Sequence, residues 1–466
     1  MADNTKKMKL YKHQTNGVEK GKQGNLALFW ECGTGKTLTT IEIIKHHSGK
    51  ALVVCPLSII DAAWLEDIQK FAPELTAVSL HDKKPAKRRE RLAEDHDIYI
   101  INFAGFKILY KEICKKGFNT LVIDESSCMR NPRSQQTMSI LSLAGVKSYG
   151  AKKKGFVTDR PIQHRYVLSG TPASNGEIEY WSQIKFITGP GGSVFNDNFY
   201  AFRGQWFVDK FARANVKFQD WCLPKERRQA FIDKMAPVCD VVRKADALDL
   251  PPQVHEKRIV ELSKQEQAAY NTFKDDMVLE FSDATVLSSN ALTEILRLRQ
   301  LTSGFVYTEA GAKETGKTKI KELHAVLDEI GRDKPVIIWA NFRYEIETLV
   351  DELPGAVALY GGTEDKGAVI KDFVDGKTQY LIANPQSSAH GWTGVHCSHS
   401  IYFSLGYSYE LLKQSQDRVH RLGQVNSVTY YYLLAKGTID MVIYKALINK
   451  QDLSDSLLDY LKGMNQ

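Results

Sequence analysis

The stretch Trp30-Glu31-Cys32-Gly33-Thr34-Gly35-Lys36-Thr37 carries residue types at the spacing that phosphate chemistry needs. Gly33 and Gly35 let a backbone fold tightly, so that successive N–H groups point inward at an anion. Lys36 would then reach the β- and γ-phosphates of a nucleotide, and the Thr37 hydroxyl would ligate magnesium. The full G-x-x-x-x-G-K-[ST] signature is not met, because its first glycine falls at Trp30. Alone, the shorter G-x-G-K-T pattern is compatible with a chance glycine-rich turn. Its neighbours decide otherwise. The apolar run Leu26-Ala27-Leu28-Phe29 before it reads as a buried parallel strand. Leu38 to His46 after it reads as a helix with Ile41 and Ile44 on one face. The positive end of that helix dipole adds to the attraction for phosphate.

Asp124-Glu125 supplies the second half of the chemistry. The pair ends the apolar run Leu121-Val122-Ile123, and an acid at the carboxyl end of a parallel strand faces the ligand crevice. Asp124 is expected to hold magnesium through water. Glu125 is expected to orient and deprotonate an attacking water. Adjacent acids directly after an apolar strand, in a chain with a phosphate loop, favour these roles over a pair of surface acids.

These residues need a sheet to position them. Ala51–Cys55, Ile98–Ile101, Thr120–Ile123 and Tyr166–Leu168 read as further strands, spaced by helical patterns. β-branched runs alternating with helices imply a parallel sheet covered on both faces. The basic segment from Gly145 to His164, with Lys147, Lys152, Lys153, Lys154 and Arg160 against Asp159, reads as an exposed loop, equally a solvated insertion. Gly189-Pro190-Gly191-Gly192 marks a boundary. Beyond it, Phe195 to Lys234 mixes aromatic and basic residues, as nucleic-acid surfaces do, but reads better as a helical subdomain burying its aromatics. Tyr270, Phe273, Met277 and Phe281 then recur at helical steps, and Leu292, Ile295 and Leu296 suggest another helix. From about Thr318 the alternation resumes, with a helix to Ile330 and strands at Val336–Trp339, Tyr380–Ile382, Ile401–Phe403 and Val428–Leu434.

Bulk properties agree. A chain of 466 residues exceeds one ordinary core, so two or three domains are expected. It is 43% hydrophobic and 25% charged, the balance of a soluble globular protein. No window approaches a membrane span, and Met1 to Lys9 lacks an apolar signal core. The seven cysteines form no C-x-x-C pair, which argues against a zinc site or a disulfide framework and for a reducing compartment. His396, Cys397 and His399 read as loop residues flanking a strand rather than metal ligands, because no fourth ligand is close. The net charge of +7 suits a polyanionic partner without requiring one.

Taken in order, several stretches resemble the motifs of the superfamily 2 helicases, in their Swi/Snf-like branch. Leu10-Tyr11-Lys12-His13-Gln14 resembles the adenine-reading Q motif, with Gln14 in the recognition position. Val53-Val54-Cys55-Pro56-Leu57-Ser58, followed by Trp64, resembles motif Ia. Asp124-Glu125-Ser126-Ser127 with Arg130-Asn131-Pro132 resembles motif II, and Ser169-Gly170-Thr171-Pro172 with Asn175, Glu179 and Trp181 resembles motif III. Arg243-Lys244, Leu250-Pro251-Pro252 and Leu262-Ser263 fit the branch's helical linker, and Thr393-Gly394-Val395-His396 lies where motif V belongs. Gln414 through Asp417-Arg418-Val419-His420-Arg421-Leu422-Gly423-Gln424 resembles motif VI. The chain departs from the branch at Ser127, at Ala389–Gly394, at Ser404 and at Tyr407-Ser408-Tyr409. The departures bear on track contacts and coupling rather than on phosphate chemistry.

The resemblance implies an α/β fold of two RecA-like parallel-sheet domains with a helical insertion between them. The expected boundaries are 1–188 for the ATP-binding domain, 189–316 for the insertion and linker, and 317–466 for the helicase domain. It implies ATP and Mg2+ as cofactors and Arg418 and Arg421, three apart on a helix, as arginine fingers toward the γ-phosphate. Ser169 and Thr171 would couple nucleotide state to the track. The expected activity is an ATP-driven motor on double-stranded DNA, in repair, recombination or replication. Alternatives are a strand-separating DNA or RNA helicase, a dead nucleotide-binding scaffold, or the motor subunit of a nuclease assembly. Absence of recognisable accessory domains argues against a chromatin remodeller and for a cytoplasmic role in a bacterial or infected cell.

Overall fold

The computed structural model describes residues 10–146, 161–210, 219–282, 290–388 and 392–463. The charged residues of the basic loop, Lys147 to Arg160, lie outside these, as do Ala389 to Gly391; of Met277, Phe281 and Leu292 only the backbone is described. The chain forms two compact units. The first is Met1–Asp249 with Lys450–Gln466, and the second is Leu250–Asn449.

The first unit is built on β1 (Leu26–Trp30), β2 (Ala51–Cys55), β3 (Ala77–Ser79), β4 (Ile98–Asn102), β5 (Thr120–Asp124) and β6 (His164–Leu168). A short antiparallel hairpin, β7 (Val208–Asp209) with β8 (Trp221–Cys222), precedes β9 (Cys239–Val242). Apart from the hairpin, these strands form one parallel sheet in the order β3-β4-β2-β5-β6-β1-β9. Successive residues of a strand point to opposite faces, and each face buries its own core. Ala27, Phe29, Val54, Ile101 and Ile123 belong to one cluster, and Leu28, Trp30, Val53, Ile100 and Val122 to the other. Burial on both faces explains why the strands read as continuous apolar runs.

The second unit repeats the plan. Its strands are β10 (Gln253–Val260), the antiparallel pair β11 (Phe305–Thr308) and β12 (Gly311–Glu314), then β13 (Val336–Trp339), β14 (Ala356–Leu359), β15 (Tyr380–Ala383), β16 (His399–Tyr402) and β17 (Val428–Ala435). The parallel sheet runs β10-β17-β16-β13-β15-β14. Its cores also split by strand face, with Ile337 and Trp339 on one side and Val336 and Ile338 on the other.

The units do not follow the boundaries expected from sequence. Residues 189–249 are not a separate layer: Phe195, Phe202, Trp206, Phe207 and Phe231 bury their rings in a core of the first unit. β9 pairs with β1, whereas β10 pairs with β17, so the break falls at Asp249–Leu250, just before Pro251-Pro252. Proline removes a ladder donor and suits such a break.

Candidate active site

β1 delivers the phosphate loop. The loop runs from Glu31 to the helix Lys36–His46, whose N-cap is Gly35 at φ 85° and ψ 33°. Gly33 is also left-handed, at φ 84°. The left-handed conformation requires glycine at Gly35, and a Cβ there would also stand 2.1 Å from Nε2 of Gln14, which would have to shift. Gln14 is thereby packed, buried, against the loop, and its Oε1 accepts from the Tyr11 backbone N–H at 2.9 Å. The ring of His13 hydrogen-bonds the Thr34 carbonyl at 2.8 Å, and the Thr34 hydroxyl donates to the Glu31 carbonyl at 2.8 Å. Lys36 Nζ donates to the carbonyls of Trp30 and Glu31, at 2.8 and 3.3 Å. Thr37 lies in the first turn of the helix.

Asp124 closes β5 and is buried. Its Oδ2 accepts from the Trp64 indole at 3.0 Å and its Oδ1 from the Glu125 backbone N–H at 2.9 Å. Burial pushes its carboxyl above the usual carboxylate range, and Lys36, the indole and the Glu125 N–H each oppose that rise. Glu125 has φ 55° and ψ 58°, the left-handed region; among the described residues no other non-glycine has positive φ. Such strain gathers at functional sites. Beyond β6, Gly170 packs on the same loop: a Cβ there would lie 3.2 Å from Cys32 Sγ. The Thr171 N–H donates to Ser169 Oγ at 3.1 Å. The Ser126 hydroxyl donates to Gln183 Oε1 at 2.6 Å, tying the acidic turn to the helix Tyr180–Thr188.

The first unit thus gathers Gln14, Gly33, Thr34, Gly35, Lys36, Thr37, Asp124 and Glu125. Sequence reasoning did not single out His13 or Gln183 as supports; His13 had only its adjacency to Gln14 as a signal.

In the second unit, Arg418 and Arg421 converge on one acceptor. Arg418 Nη1 donates to the Trp392 carbonyl at 2.7 Å and Arg421 Nη1 to the same oxygen at 3.5 Å. The expected helix through both is corrected: the helix Tyr409–Gln416 ends before them, and they sit on the turns that follow. Side-chain anchors fix those turns. His420 hydrogen-bonds Gln253 Nε2 and the Pro251 carbonyl, and Gln424 Nε2 donates to the Cys397 carbonyl at 2.8 Å. The Gly394 N–H donates to the Arg418 carbonyl at 2.8 Å, which joins the motif V segment to motif VI. The buried Cys397 thiol donates to the carbonyls of Pro335 and His399. Among the described residues no group of three His, Cys, Asp or Glu side chains could hold a metal.

A glycine cradle between strand and helix, with paired acids at the end of β5, one strand removed from β1 in the same parallel sheet, defines the first unit as a phosphate-loop nucleotide-binding domain of RecA-like build. A model of the SNF2-related domain matches residues 10–304. The chain belongs to that family, in the Swi/Snf-like branch of the superfamily 2 helicases, and is a helicase-like motor that uses ATP. Putative protein p41 of Acyrthosiphon pisum secondary endosymbiont phage 1 is 24% identical over 451 residues, which cover 92% of this chain and 93% of that one. The putative ATP-dependent helicase/translocase YwqA of Bacillus subtilis is 22% identical over 456 residues, covering 92% of this chain but only 46% of its own length. The solved Sulfolobus solfataricus SWI2/SNF2 ATPase core in complex with dsDNA is 21% identical, with a TM-score of 0.43, covering 97% of this chain and 93% of that one. Among the described residues, no helix is long and apolar enough to cross a membrane.

Proposed function

We propose that the chain couples ATP hydrolysis to translocation along double-stranded DNA, in repair, recombination or replication. The observation that carries this reading is the convergence of Gln14, Lys36, Asp124 and Glu125 around one loop, in a chain of the SNF2-related family. The name of the relative YwqA, a helicase/translocase, supports it.

The residues fit a nucleotide with magnesium. A Cβ would fill the cradle at Gly35, and a buried acid stands beside the loop's cation. Thr37 and Asp124 would hold the ion, which supplies charge neutralisation at the phosphate oxygens. Gln14 reads the adenine edge. Lys36 exchanges its two backbone carbonyls for phosphate oxygens, a gain because hydrogen bonds between charged groups are the stronger kind. Glu125 orients the attacking water and accepts its proton. Arg418 and Arg421 stabilise charge on the transferred phosphoryl, for which a planar and permanently charged donor is suited. Binding of the track falls mostly on phosphates, so it is salt-sensitive and largely independent of sequence.

The test is the rate of ATP hydrolysis without nucleic acid and with single-stranded DNA, duplex DNA or RNA. Duplex DNA should stimulate most. A rate indifferent to every nucleic acid would sink the motor reading.

A further inference from the structure

We propose that a strip of stacked arginines on the first unit, Arg133 and Arg203 with Tyr200 and Trp221, grips the phosphate backbone of nucleic acid outside the candidate active site. Three segments build it. Arg133 follows the motif II turn, Tyr200 and Arg203 lie on the helix Phe199–Trp206, and Trp221 lies on β8. The Arg133 guanidinium stands 4.9 Å from the centroid of the Tyr200 ring and also donates to the Tyr200 hydroxyl. Arg203 stands 5.4 Å from the same ring and 4.0 Å from that of Trp221. One tyrosine ring therefore joins both cations, and a tryptophan extends the row.

The row is open to solvent: Tyr200 is 44% exposed, Arg133 is exposed and Arg203 half-buried. Among the described residues, neither arginine has a carboxylate within ion-pair distance. The nearby acid Asp220 is already paired, with Lys210 at 2.7 Å. A guanidinium held over a ring still has N–H groups to offer an anion, although Arg133 gives one to the Tyr200 hydroxyl, and a guanidinium matches phosphate in a bidentate way. Stacking also orders the side chain in advance, so less entropy is lost when an anion binds. The core of the same subdomain is closed, since Phe202, Trp206 and Phe231 are buried. Among the described residues of that subdomain the exposed aromatic is Tyr200, and it carries both arginines.

Nucleic acid is the occupant the chemistry favours, because it offers successive phosphates to both guanidiniums and an aromatic surface between them. This inference rests on the nucleic-acid reading above but concerns residues outside the nucleotide site. The test uses the full chain with Arg133→Ala and Arg203→Ala combined, a fluorescent duplex and a salt series. Each phosphate contact released lowers the slope of log affinity against log salt by about 0.9, so a fall of about 2 is expected, with roughly tenfold weaker binding at moderate salt. Hydrolysis without DNA should be unchanged, and so should the melting temperature. Arg203→Lys keeps the charge but not the flat stack, and should keep most of the slope while weakening the affinity. A double variant that binds the duplex with wild-type affinity and slope overturns the strip alone. Loss of binding to an acidic polypeptide, with duplex binding intact, overturns it in favour of a protein partner. A wild-type chain that binds no nucleic acid overturns the motor reading and the strip together.

Discussion

Lys36 is tethered to its own loop, by carbonyls of Trp30 and Glu31, beside the buried Asp124. Lys36→Ala should therefore abolish hydrolysis and weaken nucleotide binding, because the phosphate charge loses its loop cation. Near-wild-type turnover in the folded variant, measured by phosphate release, would remove the phosphate-loop assignment. Glu125→Gln separates binding from chemistry. The amide still bonds water but accepts no proton, so ATP should bind while turnover falls roughly 10²–10⁴-fold. Glutamine tolerates the left-handed backbone no better than glutamate, so both carry the same strain at φ 55°. If the variant binds no ATP, Glu125 has another role. These residues were legible because phosphate chemistry needs fixed types at short spacing. Their supports were not: the Trp64 indole reaches Asp124 across 60 positions, a pairing that only the folded sheet creates.

At the scale of elements, two glycines let the helix Lys12–Gln23 lie close to its neighbours. A Cβ at Gly17 would come within 2.6 Å of the Trp30 ring, and one at Gly21 within 2.3 Å of Ile43. Gly17→Val should cost about 1–3 kcal/mol by overpacking, read from urea unfolding, and should weaken nucleotide binding by displacing Gln14. Unchanged stability would mean that the helix moves aside freely. A second device sits at the far end of the next helix. The His47 ring stacks on His164 at 3.7 Å and bonds the Tyr166 hydroxyl at 2.6 Å. Burial, then His164 and His46, lowers the His47 pKa to about 4; burial, Arg165 and His46 lower that of His164. The folded state thus resists protons that the unfolded chain accepts from about pH 6.5 downward, so stability falls as pH drops from there toward 4. His47→Gln should flatten part of that fall in melting temperature; an identical pH profile would deny the pair any role. Strands buried on both faces were readable as apolar runs. β9 and β10 were not, because β9 carries Asp240, bonded to Lys20 and the Trp30 indole, and β10 is an edge strand with charged positions along it. In the sequence the division at Asp249–Leu250 is therefore marked by Pro251-Pro252 and not by the flanking strands.

At the scale of the molecule, the proposed motor needs residues from both units, Lys36 and Glu125 from one and Arg418 and Arg421 from the other. The order of motifs along the chain made that division legible, although none of the motifs carries it alone. What the motor does to its track is a separate question. Parting a duplex needs a wedge that enters between the bases, whereas moving along it needs only grips on phosphates. The cationic features described above suit grips: the arginines of the strip stand over aromatic rings, 4.9 Å from Tyr200 and 4.0 Å from Trp221, within reach of a passing phosphate backbone. Hydrolysis should then respond more to duplex than to single strands, and least to RNA. A third strand annealed in the major groove lies in the path of a motor that follows the duplex, so it should be displaced in an ATP-dependent way. The strands of a forked duplex should stay paired under the same conditions, and Glu125→Gln should displace nothing. The two substrates, run side by side on a native gel, separate the possibilities. Efficient fork opening without triplex displacement would overturn translocation on duplex DNA and establish a strand-separating helicase in its place.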